Sequence, residues 1–120
     1  MSVLAVQISH IASDVIAAAG SRLDDGMIYL MMVHAPLSRA RLVRLYNAMQ
    51  HGTADSDPSA DIVRVRAFRL EPLDEPRQHG GGVLMVDGEM VDYGPIQARV
   101  LPSMARVMCL DKESAEINGL

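Results

Sequence analysis

Aromatic residues, cysteine and long apolar runs are all scarce in this chain. It has no Trp, one Phe and three Tyr, and its single cysteine, Cys109, has no partner within the chain for a disulfide. The sequence also shows no secretory signal, that is, no charged start followed by an apolar run and a small-residue cleavage site. The lone cysteine and this lack of a signal predict a reducing, cytoplasmic setting. The longest apolar run, residues 27–33, is far shorter than the roughly 20 residues that a membrane-spanning helix needs. No segment is therefore predicted to cross a bilayer.

Strong basic charge and the common chemical motifs are also missing. The net charge is -4 and the Lys and Arg residues are scattered, which argues against nucleic acid as a partner. No Ser lies in a G-x-S-x-G context, and Cys109 has no nearby His to lower the pKa of its thiol. Nucleophilic catalysis is therefore not supported, and no catalytic residue is assigned. Four histidines lie in different predicted elements and make no ligand spacing with Cys109, so no metal site is predicted. They are His10, His34, His51 and His79.

The chain is long enough for one domain with a single core. We predict one β-rich domain over residues 1–110 and a polar, frayed tail over 111–120. Nine methionines supply much of the apolar volume. They either fill gaps in the core or form a surface that adapts to acyl chains.

Short apolar segments separated by turn signals predict six or seven strands. The segment at 3–8 begins without a polar leader, as though the chain starts inside a sheet. Asp25-Gly26 favours a tight hairpin turn before a strand at 27–34, whose unbroken apolar run predicts a central position covered on both faces. A strand at 62–70 changes its apolar side, which a bulge near Ala67 would explain. The remaining strands are predicted at 14–19, 83–86, 89–91 and 96–101.

A single helix is predicted over residues 39–51. Ser38 is a suitable N-cap and Gly52 a suitable left-handed residue at the carboxyl end. Four apolar residues recur on one face at helical spacing: Leu42, Leu45, Tyr46 and Met49. This stripe either packs the helix on a sheet or also borders a cavity that suits an alkyl chain. With the strands, the pattern predicts a mainly β fold, an antiparallel β-sandwich with one amphipathic α-helix.

The sequence Asp87-Gly88-Glu89 admits two interpretations. Asp-Gly is a standard pair for a two-residue hairpin turn, which accounts for the first two residues. A carboxylate at a turn edge contributes little to stability unless it meets a cation, a hydroxyl or a metal-bound phosphate. Glu89 therefore either begins the returning strand or takes part in a site.

Several blocks of the chain resemble the sphingosine kinases, in the order in which that family carries them. Residues 25–52 resemble the family's strand-then-helix segment. The stretches V-R-A-F-R-L-E-P at 65–72 and V-D-G-E-M-V at 86–91 resemble two further blocks, and Y-G-P at 93–95 also fits. The similarity extends from Val3 to about Met108.

The resemblance implies a β-sandwich domain that follows an amino-terminal nucleotide-binding domain, with the active cleft between them. Such kinases transfer the γ-phosphate of ATP, with Mg²⁺, to the primary hydroxyl of sphingosine. The expected partners are sphingosine or a related long-chain base, ATP, the missing amino-terminal kinase domain and a peripheral membrane surface. The glycine-rich phosphate loop and the aspartate near the lipid hydroxyl belong upstream, so the chain alone is predicted to be inactive.

The resemblance also assigns roles to particular positions. Asp87, Gly88 and Glu89 match a segment that contacts the nucleotide, and Leu42, Leu45, Tyr46 and Met49 match helix positions that line the lipid pocket. A Tyr stands at position 46 where a Phe is common. Two alternatives remain open: a ceramide or diacylglycerol kinase fragment, and a free-standing β-sandwich that binds a hydrophobic ligand without catalysis.

Overall fold

The computed structural model describes residues 1–72, 82–106 and 108. Within them every strand pairing is antiparallel, which confirms the prediction of a mainly antiparallel β fold with one α-helix. Residues 73–81, between the strands predicted at 62–70 and 83–86, and the polar tail predicted at 111–120 lie outside the described residues. The elements are β1 (Ser2–Val6), β2 (His10–Ala12), β3 (Val15–Ile16), β4 (Ile28–Val33), α1 (Arg39–Gln50), a 3-10 helix (Ala54–Ser56), β5 (Ala60–Val65), β6 (Ala67–Leu70), β7 (Leu84–Val86), β8 (Glu89–Val91) and β9 (Ile96–Arg99).

The central position predicted for the apolar strand is confirmed. β4 lies between β1 and β5 in a three-stranded sheet, with Met31 opposite Leu4 on one side and Ile62 on the other. Residues 28–31 are all buried although successive side chains point to opposite faces of a strand. Both faces of β4 are therefore covered, as its unbroken apolar run predicts.

The core lies on the face of this sheet that carries Met31. Met31 and Leu45 of α1 are buried there among three small residues, Ala17, Ala54 and Ala60. The alanines leave room for the two larger side chains, each of which contributes about 1.5–3 kcal/mol when fully buried. This packing holds α1 against β3 and the 3-10 helix.

Local signals place the helix correctly. The Ser38 hydroxyl accepts a hydrogen bond from the Arg41 amide, so Ser38 caps the first turn as predicted. At the other end Gly52 has a φ of 66°, in the left-handed region where glycine is favoured. The helix ends at Gln50, one residue before the predicted end.

The hairpin turn predicted at Asp25-Gly26 is wrong. β3 pairs with β2, whereas β4 pairs with β1 and β5, so no hairpin joins β3 to β4. The Asp25 amide instead donates to the Arg22 carbonyl oxygen at 3.3 Å, which closes a turn within a longer connection. Gly26 does adopt a positive φ, 65°. The strands that pair with β4, however, are β1 and β5, which are not joined to it by this turn.

The bulge predicted near Ala67 is also wrong. The chain leaves the central sheet after Val65 and enters a second pair, β6 with β9, at Ala67. The Arg66 carbonyl accepts from the Val100 amide at this transfer point. The apolar residues change sides because the chain changes sheets, and not because one strand carries an extra residue.

The second pair lies beside the amino-terminal strand. Val3 of β1, Leu70 of β6 and Ile96 of β9 line one groove of about 390 Å³. A third pair, β7 with β8, forms the hairpin predicted from the Asp-Gly signal.

Candidate functional site

The four helix residues assigned to lipid binding fall into two pairs with different surroundings. Leu45 is 3% exposed in the core and Met49 packs against it, whereas Leu42 is 56% exposed and Tyr46 is 47% exposed. Each pair is spaced four residues apart, so its members lie one above the other on the helix. The inner pair stabilises the fold, and the outer pair leaves side chains available to a ligand.

A cavity of about 330 Å³ borders the core near the carboxyl end of α1. Aliphatic and small residues form most of its wall, and Tyr29, Asp55 and Arg64 add polar groups. Its volume is at the lower end of the range for small-molecule sites. The wall consists of Ile16, Ala17, Ala19, Gly20, Tyr29, Gly52, Ala54, Asp55, Ile62 and Arg64.

The sequence did not predict this cavity because its wall comes from four separate stretches of the chain, at 16–20, 29, 52–55 and 62–64. Tyr29 and Arg64 are cross-strand neighbours on β4 and β5, 35 residues apart in sequence. The alternation of Val and Arg in β5 was a usable signal, since it places Arg64 on the same sheet face as Ile62. The pairing of β4 with β5, which brings Tyr29 beside Arg64, cannot be predicted from the residues of either strand alone.

The Tyr29 hydroxyl at this cavity is held by Asp25. It donates to Asp25 Oδ2 at 2.8 Å, and the carboxylate also accepts from the Arg22 and Met27 amides at 3.1 and 2.8 Å. The bond from the Arg22 amide is the main reason that the pKa of Asp25 is lowered, and the bond to Asp25 is the main reason that the pKa of Tyr29 is raised. At neutral pH the pair is therefore a neutral phenol donating to a carboxylate.

A second carboxylate ties α1 to the segment after it. Arg44 Nε donates to Asp57 Oδ2 at 2.9 Å, and the Ser59 amide donates to Asp57 Oδ1 at 2.8 Å. The Arg44 guanidinium, followed by the Ser59 amide, holds the pKa of Asp57 below its ordinary value. Because Asp57 is buried in the fold, this ion pair fixes α1 relative to the start of β5.

The turn assigned to nucleotide binding has the geometry of a two-residue hairpin. Asp87 and Gly88 have φ values of 51° and 86°, and Val86 lies opposite Glu89. Positive φ at both central residues is typical of the turn that suits right-twisted strands. All three residues of Asp87-Gly88-Glu89 are exposed, and none of them lines the cavity beside α1. The structure therefore keeps this turn separate from that cavity.

Two features are absent from residues 1–72, 82–106 and 108. No group of three or more His, Cys, Asp or Glu in that part of the chain is arranged to hold a metal ion. No helix there is long and apolar enough to cross a membrane.

Comparison with known proteins defines the class first. Over residues 2–109 the chain matches the family described as the YegS C-terminal NAD kinase beta sandwich-like domain. The chain belongs to this family, and the prediction of a β-sandwich is confirmed.

The individual relatives that the chain resembles are sphingosine kinases. The chain is 45% identical over 107 residues to human sphingosine kinase 2, covering 88% of this chain and 16% of that protein. It is 41% identical over 103 residues to human sphingosine kinase 1, covering 84% of this chain and 26% of that protein. A more distant relative, sphingosine kinase B of Dictyostelium discoideum, is 27% identical over 111 residues. The resemblance to sphingosine kinases is confirmed, and the chain spans about a quarter or less of these relatives.

Proposed function

We propose that this chain works as the carboxy-terminal part of a sphingosine kinase, which phosphorylates sphingosine with ATP to give sphingosine 1-phosphate. The observation that carries the proposal is the 45% identity to human sphingosine kinase 2 over 88% of the chain. That similarity extends across both the helix and the hairpin turn. The alternative is a lipid kinase of a neighbouring class that acts on ceramide or diacylglycerol, and the choice of lipid substrate distinguishes the two.

Within this proposal α1 supplies part of the lipid-pocket wall. Leu42 and Tyr46 carry exposed apolar surface, and Leu45 and Met49 fix the helix that presents them. The alkyl chain would pack on the outer pair, whereas none of the four helix residues lines the cavity bordered by Ile16, Ala54 and Ile62. Lipid contact by all four residues stays a prediction, and the outer pair is the better placed for it.

The hairpin turn would serve the nucleotide. Asp87 and Gly88 fix the backbone of the turn, so the position from which the exposed Glu89 side chain extends is set before a ligand arrives. Phosphoryl transfer depends mainly on positioning and charge stabilisation, to which such a group contributes by orienting the nucleotide or its metal shell. A Mg²⁺ ion would be held by ATP and by residues of the amino-terminal domain, and it would neutralise charge on the phosphates during transfer.

The chemistry itself would come from elsewhere in the enzyme. No catalytic residue is assigned in this chain, and the phosphate loop and the base that accepts the hydroxyl proton are assigned to the amino-terminal kinase domain. We expect the complete enzyme to act in the cytoplasm, with peripheral association to membranes.

The test is a transplant into a relative. The segment of human sphingosine kinase 1 that aligns with this chain is replaced by residues 1–108, and phosphate transfer from ATP is measured with sphingosine, ceramide and diacylglycerol. We expect the chimaera to phosphorylate sphingosine preferentially, and the isolated chain to phosphorylate none of the three lipids. Preference of a folded chimaera for ceramide or diacylglycerol would favour the alternative kinase class. Robust activity of the pure chain would contradict the assignment of the chemistry to another domain.

A further inference from the structure

The cavity beside the carboxyl end of α1 is separate from both parts of the chain that the proposed function uses. It is lined neither by the four helix residues assigned to lipid nor by the turn at 87–89. Its wall includes Ala17 and Ala54, which are 1% and 3% exposed and also belong to the core. The packed core of this chain therefore sets the shape of that wall.

The apolar part of the wall is made of branched and small residues. Ile16 and Ile62 give it aliphatic surface, and alanines and glycines leave the space beside them. A Cβ on Gly52 would lie 3.4 Å from Ile16 Cδ1 and 3.7 Å from Ala19 Cβ, so a larger residue at position 52 would narrow the cavity. The volume of about 330 Å³ therefore suits a small ligand with a short aliphatic group.

Two opposite charges lie at the same cavity. Arg64 of β5 and Asp55 of the 3-10 helix both line it, and neither forms an ion pair within the part of the chain that the structure describes. Arg64 lies opposite Tyr29 on the neighbouring strand. The Tyr29 hydroxyl donates to Asp25 at 2.8 Å, so its oxygen keeps the capacity to accept a hydrogen bond.

The signs of these charges define the ligand class. A ligand with only a negative charge would be attracted by Arg64 but repelled by Asp55, and also by Asp25 behind Tyr29. A ligand with only a positive charge would meet the reverse conflict. A small zwitterion with an aliphatic group satisfies both charges and the apolar wall.

We propose that this cavity binds the zwitterion of a small aliphatic α-amino acid such as leucine. The Arg64 guanidinium would donate to the carboxylate, and the Asp55 carboxylate would accept from the ammonium group. The aliphatic side chain of the ligand would pack against Ile16 and Ile62. This site goes beyond the proposed function, because no lipid or nucleotide contact is assigned to its residues.

The experiment titrates the full chain with three probes and follows the isoleucine methyl signals by NMR. L-Leucine carries both charges, L-leucinol lacks the carboxylate, and isocaproate lacks the ammonium group. Leucine should shift the signals of Ile16 and Ile62 but not that of Ile96, which lines the separate groove. Leucinol and isocaproate should each bind about tenfold more weakly or worse, because each loses a charge-assisted hydrogen bond.

Arg64→Gln and Asp55→Asn test the two charged contacts. Each should weaken leucine binding by about tenfold or more without unfolding the chain, since both positions are exposed. Arg66→Gln and Asp92→Asn are the matched controls, because these residues are also exposed but do not line the cavity. Both controls should bind leucine as the wild type does, and thermal unfolding checks that all four variants are folded.

Three results would overturn the proposal. They are an absence of leucine binding, binding of leucinol or isocaproate as tight as that of leucine, and equal effects of the cavity variants and their controls. The titration does not depend on kinase activity. Failure of leucine binding therefore leaves the proposed function intact, and failure of the chimaera assay leaves leucine binding measurable.

Discussion

At the scale of single residues, the Arg44–Asp57 pair has the clearest structural role. Asp57 is buried, and its carboxylate accepts from both the Arg44 guanidinium and the Ser59 amide. Loss of the Asp57 carboxylate would leave the amide of the buried Ser59 without its acceptor, which is more damaging than loss of an exposed pair, whereas the half-exposed Arg44 can still reach water. The pair therefore couples the position of α1 to the segment that leads into β5.

Asp57→Asn is expected to lower the melting temperature at neutral pH by about 5 °C, because the neutral amide no longer balances Arg44. The pKa of Asp57 is lowered in the folded chain, so its stabilising effect is present above the ordinary carboxyl pKa of about 3.9. The effect is lost as pH falls from that value through the lower folded pKa. Thermal unfolding across pH 7 to 3, by circular dichroism, measures the difference between the two proteins.

Asp55→Asn serves as the control for this measurement, since Asp55 is exposed two residues away. It should change the melting temperature little at any pH. An Asp57→Asn protein whose melting temperature equals that of the wild type at neutral pH would show that the ion pair does not hold the helix.

At the scale of elements, α1 has a structural edge and an open edge. Leu45 and Met49 pack into the core with Met31, whereas Leu42 and Tyr46 face away from it. The hairpin β7–β8 makes a comparable division, since Asp87 and Gly88 form the turn and Glu89 begins the returning strand. In both elements, some residues of the predicted site hold the fold together and the others are exposed to solvent.

Alanine substitutions distinguish the two edges of α1. Leu45→Ala should lower the free energy of unfolding by about 2–5 kcal/mol, because it leaves a cavity beside Met31. Leu42→Ala should change it by about 0.5 kcal/mol or less, as is usual at exposed positions. Urea unfolding of both variants is the measurement. Equal losses at the two positions would contradict the division of the helix into two edges.

At the scale of the whole molecule, the sequence predicted those features that depend on neighbouring residues. Ser38 and Gly52 bound the helix, and Asp87-Gly88 forms its hairpin, because caps and two-residue turns are decided locally. The unbroken apolar run of β4 also predicted its central position. These features depend on residues that are close in sequence, so they are the same whatever the strand order.

The errors arose where distant strands decide the structure. Asp25-Gly26 has the composition of a hairpin turn, yet β4 finds its neighbours in β1 and β5. The change of apolar side near Ala67 marks a transfer between sheets, which a single strand cannot reveal. The approach of Tyr29 to Arg64 was missed for the same reason, and the pairing of Arg44 with Asp57 was missed because it depends on how the segment after the helix folds back.

We propose that this chain gives a sphingosine kinase both a lipid wall on α1 and a nucleotide-facing turn on β7–β8. Two variants of the chimaera with human sphingosine kinase 1 test these separately. Tyr46→Asp places a carboxylate where an alkyl chain would pack, and its desolvation should cost several kcal/mol. Glu89→Gln removes the charge at the turn and retains the side-chain shape.

The most direct measurement is steady-state kinetics of the two folded variants against both substrates, with sphingosine presented in neutral detergent micelles. Tyr46→Asp should raise the KM for sphingosine by about tenfold or more with little change in the KM for ATP. Glu89→Gln should reduce ATP-dependent turnover by about tenfold, equivalent to about 1.4 kcal/mol, without changing the KM for sphingosine. Wild-type constants in both variants, with thermal unfolding showing that they are folded, would contradict the claim and leave α1 and the hairpin as structural elements only.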